Sequence, residues 1–138
     1  MTSPLPGGSR LIPFAIRGDE RGRLVAIEGT GDIPFAIARV YYVFGTTKGT
    51  TRGLHAHRTL NQLAVAVAGS CTMLLDDGAN KVSVRLDDPA QGLTLPPMVW
   101  HEMDDFSDDC VLMVLADAAH DEADYIRDYV EFIALAAF

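Results

Sequence analysis

The sequence predicts an all-β domain, closed as a barrel or sandwich, with one short helix close to its end. Short runs of β character follow one another at close intervals: RLVAIEG, FAIARVYYVFG, GLHAHR, QLAVAVAG, SCTMLLDDG, KVSVRLDD, GLTLPP and DCVLMVLAD. The segments between them, GTGDIP, GTTKGTT, DDGAN, DPAQG and DDFSDD, are made of residues that turn a chain. Only DEADYIRDYVEFIALAAF carries apolar residues at spacings of three and four, namely Tyr125, Ile126, Tyr129, Val130 and Ile133, which is the period of an amphipathic helix.

In chain order, MTSPLPGGSR is rich in Pro, Gly and Ser and reads as a loose arm over residues 1–10. Residues 11–138 then form one domain, without internal repeat or low-complexity tract. A chain of 138 residues has room for one core, since a domain near this size buries roughly 68–70% of its unfolded surface. Apolar residues make up 49% and charged residues 22%, a globular composition. DDGANK, between SCTMLL and KVSVRL, is a hairpin turn, because Asp-Gly accepts the positive φ values that tight hairpins need.

Charge and hydropathy exclude several function classes. The net charge of −8 disfavours a nonspecific grip on nucleic acid or on an anionic membrane. An anionic ligand has to be met by a few placed arginines. Apolar runs such as LAVAVAG fall far short of a spanning helix, which needs about 20 residues. The first residues lack a basic stretch followed by an apolar one, so no secretory signal is read and a cytoplasmic location is expected. Cys71 and Cys110, both in apolar runs, read as buried reduced thiols.

The chemistry concentrates in GTTRGLHAHRTLNQLAVAVAG, residues 49–69. On a strand, His55 and His57 face the same way. With Gln62 and His101 in the same cavity, a barrel interior would hold three imidazoles and one amide. The spacing Gly49, His55, His57, Gln62, Gly69 resembles the first motif of the cupin superfamily, which has glutamate where this chain has Gln62. The second cupin motif is matched in part: Pro96 precedes His101 by five residues, but Met98 stands at the usual glycine and Asp105 at the usual asparagine. The resemblance implies a cupin jelly-roll barrel (a double-stranded β-helix) with a short C-terminal helix. Three histidines and a carboxylate would suit Fe, Mn, Ni or Zn; Gln62 keeps an oxygen donor but removes the charge, which moves the reading from metal to proton chemistry.

Further segments narrow the likeness. GDERGRLVAIE, IPFAIARVYYVF, RGLHAHR, LDDG, GLTLPPMVWHEM, DFSDDCVLMVLA and DEADYIRDY together resemble the nucleotide-sugar 3,4-ketoisomerases, over about Gly18 to Tyr129. That family acts on dTDP-4-keto-6-deoxyglucose. The resemblance implies a keto group moved from C4 to C3 through an enediol, with no metal and no other cofactor, in the making of a 3-amino-3,6-dideoxyhexose. It makes His57 the shuttle between C3 and C4 and His55 its partner near the sugar oxygens. It also implies a homodimer with the RLVAIE strand near the interface.

Other roles follow from residue type. In RVYYVF a regular strand turns Tyr41 and Tyr42 to opposite faces; Tyr41, on the face of Arg39, is the candidate acid, and Tyr42 is kept as a possible substrate contact. Arg52 and Arg21, with Arg85 as a third, are the candidate diphosphate contacts, because guanidinium matches phosphate oxygens in bidentate geometry. His101 and Gln62 would hold the sugar by hydrogen bonds, while His120 reads as exposed. Two other classes compete with this reading: a metal-dependent cupin enzyme and a noncatalytic sugar-binding cupin.

Overall fold

The computed structural model describes residues 5–137. In chain order their strands are β1 (Leu11–Pro13), β2 (Arg17–Asp19), β3 (Gly22–Leu24), β4 (Arg39–Val43), β5 (Arg52–His57) and β6 (Gln62–Ala68). There follow β7 (Cys71–Asp76), β8 (Lys81–Leu86), β9 (Gln91–Leu95), β10 (Trp100–Asp104), β11 (Val111–Ala116) and β12 (Tyr125–Ile126), and then helix α1 (Tyr129–Ala136). One five-stranded sheet has the order β1-β9-β6-β11-β4 and the other β12-β5-β10-β7-β8. Every pairing between these strands is antiparallel. The chain therefore has the all-β barrel expected of it, with a short C-terminal helix.

The main core lies between the two sheets. Ala64, Ala66, Leu93, Leu95, Leu112 and Val114 of the first meet Met73, Leu75, Val84, Leu86 and Met103 of the second. A further cluster, including Phe14, Ile33, Phe35, Leu63, Val65 and Leu115, covers the outer face of the first sheet. Buried on both faces as far as Ala66, β6 reads after Gln62 as the apolar run LAVAVA. Within RLVAIEG only Arg23 and Leu24 are strand, as part of β3; Val25 and Ile27 leave the ladder and pack on that outer cluster.

The backbone is left-handed at the two places where the sequence departs from the second cupin motif. Met98 has φ +62° and Asp105 φ +52°. The glycine-type geometry is thus kept although the residue has changed, with local strain at Met98. The Met98 N–H is bound at 2.7 Å to the His57 carbonyl.

Two expectations are corrected. Of the arm, residues 1–4 lie outside the described residues, and residues 5–10 are docked and not loose. Leu5 packs on the core, Pro6 is buried, and the Gly7 N–H donates to Asp77 Oδ2 at 3.0 Å. The helix begins only at Tyr129, capped by the Asp128 side chain. Tyr125 and Ile126 are extended instead, because they pair with His57 and Ala56 of β5. Long-range pairing overrides the local helical period there, and Val130 is exposed while Phe132 is fully buried.

Phe132 joins Ile126, Trp100 and Ala56 in a cluster that packs α1 on the second sheet. Phe132→Ala is expected to destabilise the protein by about 3–5 kcal/mol. The measurement is a shift of the urea midpoint at unchanged slope.

Candidate active site

The two sheets bring six side chains together in the barrel interior. Alternation on β5 turns His55 and His57 inward and Ala56 outward into the cluster under α1. His101 of β10 lies directly across the ladder from His55. Tyr125 of β12 is the cross-strand partner of His57. The ring of His55 is 4.5 Å from that of His101 and 4.9 Å from that of Tyr125, while the His57 and Tyr125 rings are 4.4 Å apart. From the facing sheet, the Gln62 Nε2 donates to the Tyr41 hydroxyl oxygen at 3.0 Å. A β-bulge shapes this strand: the register slips opposite His101 and Glu102, and Gly53 and Leu54 both have positive φ, +86° and +57°.

Hydrogen bonding fixes the histidine tautomers. The Nδ1 of His55 faces the Gly53 carbonyl at 2.9 Å, and that of His101 faces the Val99 carbonyl at 3.3 Å. A carbonyl oxygen only accepts, so in a neutral ring the proton sits on Nδ1 and Nε2 is bare. The Nδ1 of His57 faces Asp124 Oδ2 at 3.2 Å. The Nε2 atoms of His55, His57 and His101, together with Gln62 Oε1, are buried and have no protein partner.

Burial also sets the charges. It pushes His57 down to about 4, reinforced by His55 and opposed by Asp124. Burial, with the neighbouring His55, pushes His101 down to about 3. Burial likewise lowers His55. At neutral pH the cavity therefore offers uncharged imidazoles as proton acceptors. Tyr41 is raised by burial, against which the bond from Gln62 works. For Asp124, burial would raise the carboxyl, but the bonds from Thr59 and Leu60 and the nearby His57 outweigh it and hold the group below its usual range.

The remaining sequence candidates fall in different places. Arg52, next to the Gly53 bulge, is near enough to Tyr41 for its charge to act on the phenol. Arg21 lies in the exposed β2–β3 hairpin, its guanidinium held by Asp19 at 2.6 Å, and is not brought to the histidines here. Tyr42 points away from the cavity, 63% exposed beside Phe44, because strand alternation gives the inward face to Tyr41. Arg85 is corrected too: on the far edge strand β8 it binds Thr72, Ser70 and Asp105, bracing the bend after β10.

Three residues were missed in the sequence. Asp124 and Tyr125 reach the site from the C-terminal segment, and Arg127 stacks over the outer face of the Tyr125 ring at 4.1 Å while bound to Glu122. The helical period of DEADYIRDY concealed them; the one available signal was their place in the family-like DYIR segment. A small surface pocket beside His57 is lined by Arg39, Asp124, Tyr125 and His120. Among the described residues, no group of three His, Cys, Asp or Glu side chains is placed to hold a metal ion.

An antiparallel β-barrel with inward histidines on the His-x-His strand and on a later strand paired with it defines a cupin. The family model described as FdtA: WxcM-like, C-terminal matches residues 7–137, and the chain belongs to that family. A curated relative is the TDP-4-oxo-6-deoxy-alpha-D-glucose-3,4-oxoisomerase of Aneurinibacillus thermoaerophilus, 52% identical over 124 residues that span 90% of this chain and 89% of the relative. The sugar 3,4-ketoisomerase QdtA of Thermoanaerobacterium thermosaccharolyticum, solved in complex with TDP, superposes with a TM-score of 0.94 at 42% identity over 96% of this chain and 97% of that one. A His-to-Asn mutant of QdtA is solved with TDP-4-keto-6-deoxyglucose, and superposes with a TM-score of 0.93 at 42% identity over 96% of each chain. The TDP-quinovose 3,4-ketoisomerase WlaRB of Campylobacter jejuni superposes with a TM-score of 0.89 at 39% identity, over 93% of this chain and 98% of that one.

The depressed histidines make stability depend on pH in a defined window. Unfolded imidazoles take up protons below about 6.5, whereas the folded ones resist until lower pH. Their contribution is complete above pH 6.5 and is lost as the pH falls to about 4 for His57 and about 3 for His101. For His57 alone the loss is on the order of 3 kcal/mol. Urea midpoints measured from pH 7 to pH 4 should fall steadily, and His101→Gln should flatten the slope; equal slopes would contradict the neutral burial of His101.

Proposed function

We propose that the protein is a sugar-nucleotide 3,4-ketoisomerase, converting dTDP-4-keto-6-deoxyglucose into the 3-keto-6-deoxyhexose. The observation that carries this is the set of bare, uncharged Nε2 atoms turned into one cavity and faced by a phenol. Its relatives are named for the same reaction. A neutral imidazole removes the proton at C3. The C4 oxygen takes a proton as the enediol forms, the C3 hydroxyl proton leaves, and C4 receives the returned proton. One C–H and one O–H are lost and one of each is gained.

In this reading His57 is the shuttle between C3 and C4, and His55 works at the sugar oxygens. Tyr41 is the acid facing them, and its phenol proton is free because its oxygen already accepts from Gln62. His101 and the Gln62 oxygen hold the sugar. Arg52 is a diphosphate contact. Arg21 becomes one only from a surface that a second copy could offer.

A homodimer belongs to the same reading, with residues 23–28 near its interface. Supporting it are the exposed Val40, Tyr42 and Phe44 on and beside edge strand β4, and the exposed β2–β3 hairpin with its outward Leu24. A cytoplasmic location fits a sugar-nucleotide enzyme; among the described residues no helix is long and apolar enough to cross a membrane.

Chelator-treated protein incubated with dTDP-4-keto-6-deoxyglucose should give a 3-keto hexose by proton NMR, and the coupling at C4 reads the product configuration. In D2O the proton at C5 should be retained, which separates this reaction from 3,5-epimerisation. His55→Asn and His57→Asn should each lower kcat by about 100-fold or more. An untouched substrate would sink the assignment. Size-exclusion chromatography at micromolar protein should show a dimer, and a monodisperse monomer would count against it.

A further inference from the structure

The three cavity histidines differ in what stands behind them. His55 and His101 rest on neutral backbone carbonyls, whereas His57 rests on a carboxylate. That carboxylate is itself fixed. Asp124 Oδ1 accepts from the Thr59 N–H and the Thr59 hydroxyl, both at 2.8 Å, and Oδ2 accepts from the Leu60 N–H at 3.2 Å as well as from His57. Its backbone carbonyl accepts from the Arg58 N–H at 2.9 Å. The turn between β5 and β6 thus clamps Asp124 on both side chain and main chain, and every group around the carboxylate is a donor.

We propose that Asp124 is a positioning residue for the reaction: it holds His57 with the proton on Nδ1 and Nε2 bare toward the substrate, and it balances the imidazolium formed when Nε2 takes the C3 proton. This rests on the ketoisomerase reading above. It supplies a physical reason for His57, of the three histidines, to carry the proton between C3 and C4. A backbone carbonyl orients a ring equally well but brings no charge to offset the cation. The proton bookkeeping closes within the pair, because Asp124 keeps its negative charge throughout and the proton leaves Nε2 again for C4.

The test is Asp124→Asn. Its amide oxygen stays with the shorter Thr59 bonds, which turns the amide NH2 toward His57 Nδ1 and forces the imidazole proton onto Nε2. The expected result is a fall in kcat of about 100-fold or more, with KM and the affinity for TDP each changed by less than about threefold. Imidazole 15N NMR at pH 7 should show a bare Nε2 on His57 in the wild type and a protonated Nε2 in D124N. A kcat within about threefold of wild type, or a lost kcat with the tautomer unchanged, would overturn the proposal. Should D124N fail to fold, the wild-type spectrum still decides, since a proton found on Nε2 of His57 refutes it. No turnover by the wild type would sink the reaction assigned above, whereas a reversed tautomer in an active wild type would sink the role of Asp124 alone.

Discussion

Each of the three imidazoles inside the barrel is correctly turned because its Nδ1 proton is bound to a fixed oxygen, and it stays neutral because burial outweighs that bond. Much of the unusual local structure serves to place those oxygens. The Gly53 carbonyl reaches its own neighbour's ring because Gly53 and Leu54 both adopt positive φ and push the strand into a bulge. The Val99 carbonyl follows Met98, held left-handed and tied by its N–H to β5. Asp124 arrives on a segment that abandons helical geometry to pair with β5. The bulge at Gly53, the left-handed Met98 and the short twelfth strand thus have one function in common.

That arrangement works against stability. A buried acceptor left without a partner costs about 1–3 kcal/mol, and here three ring nitrogens and an amide oxygen are in that state. The surrounding fold can carry this because it is packed on several sides: β6, which brings in Gln62, is buried on both faces, and Phe132 and Trp100 close the sheet behind His57. Binding polar sugar oxygens would satisfy the same atoms. The stability lost in the free protein is then the source of affinity and orientation in the complex.

Much of this was legible in the sequence. Two-residue alternation placed His55 with His57 and set Tyr41 against Tyr42, and the structure keeps both relations. The Asp-Gly hairpin is present, with Gly78 at φ +94°. What failed did so for identifiable reasons. DEADYIRDYVEF carries a helical period, but hydrogen bonding to a strand nearly 70 positions away decides the conformation of Tyr125, and no local pattern encodes that pairing. Arg85 resembles a ligand contact only until its neighbours Ser70, Thr72 and Asp105 are folded around it. Leu5 and Pro6 looked like arm residues because their docking surface lies some 70 residues downstream at Asp77.

In the proposed reaction the two walls of the cavity would carry opposite halves of the chemistry. On one sheet, neutral imidazoles point bare nitrogens inward and can only accept. On the facing sheet, the Tyr41 oxygen is occupied by the Gln62 amide, so the phenol presents its proton. An enediol lying between them, as proposed, would meet an acceptor at the carbon that loses hydrogen and a donor at the oxygen that gains charge. A glutamate in place of Gln62 would have to accept from Tyr41, turning the phenol proton away from the cavity. The amide therefore does more than lack a charge for metal: it sets the direction of the hydrogen bond on which the donor wall depends.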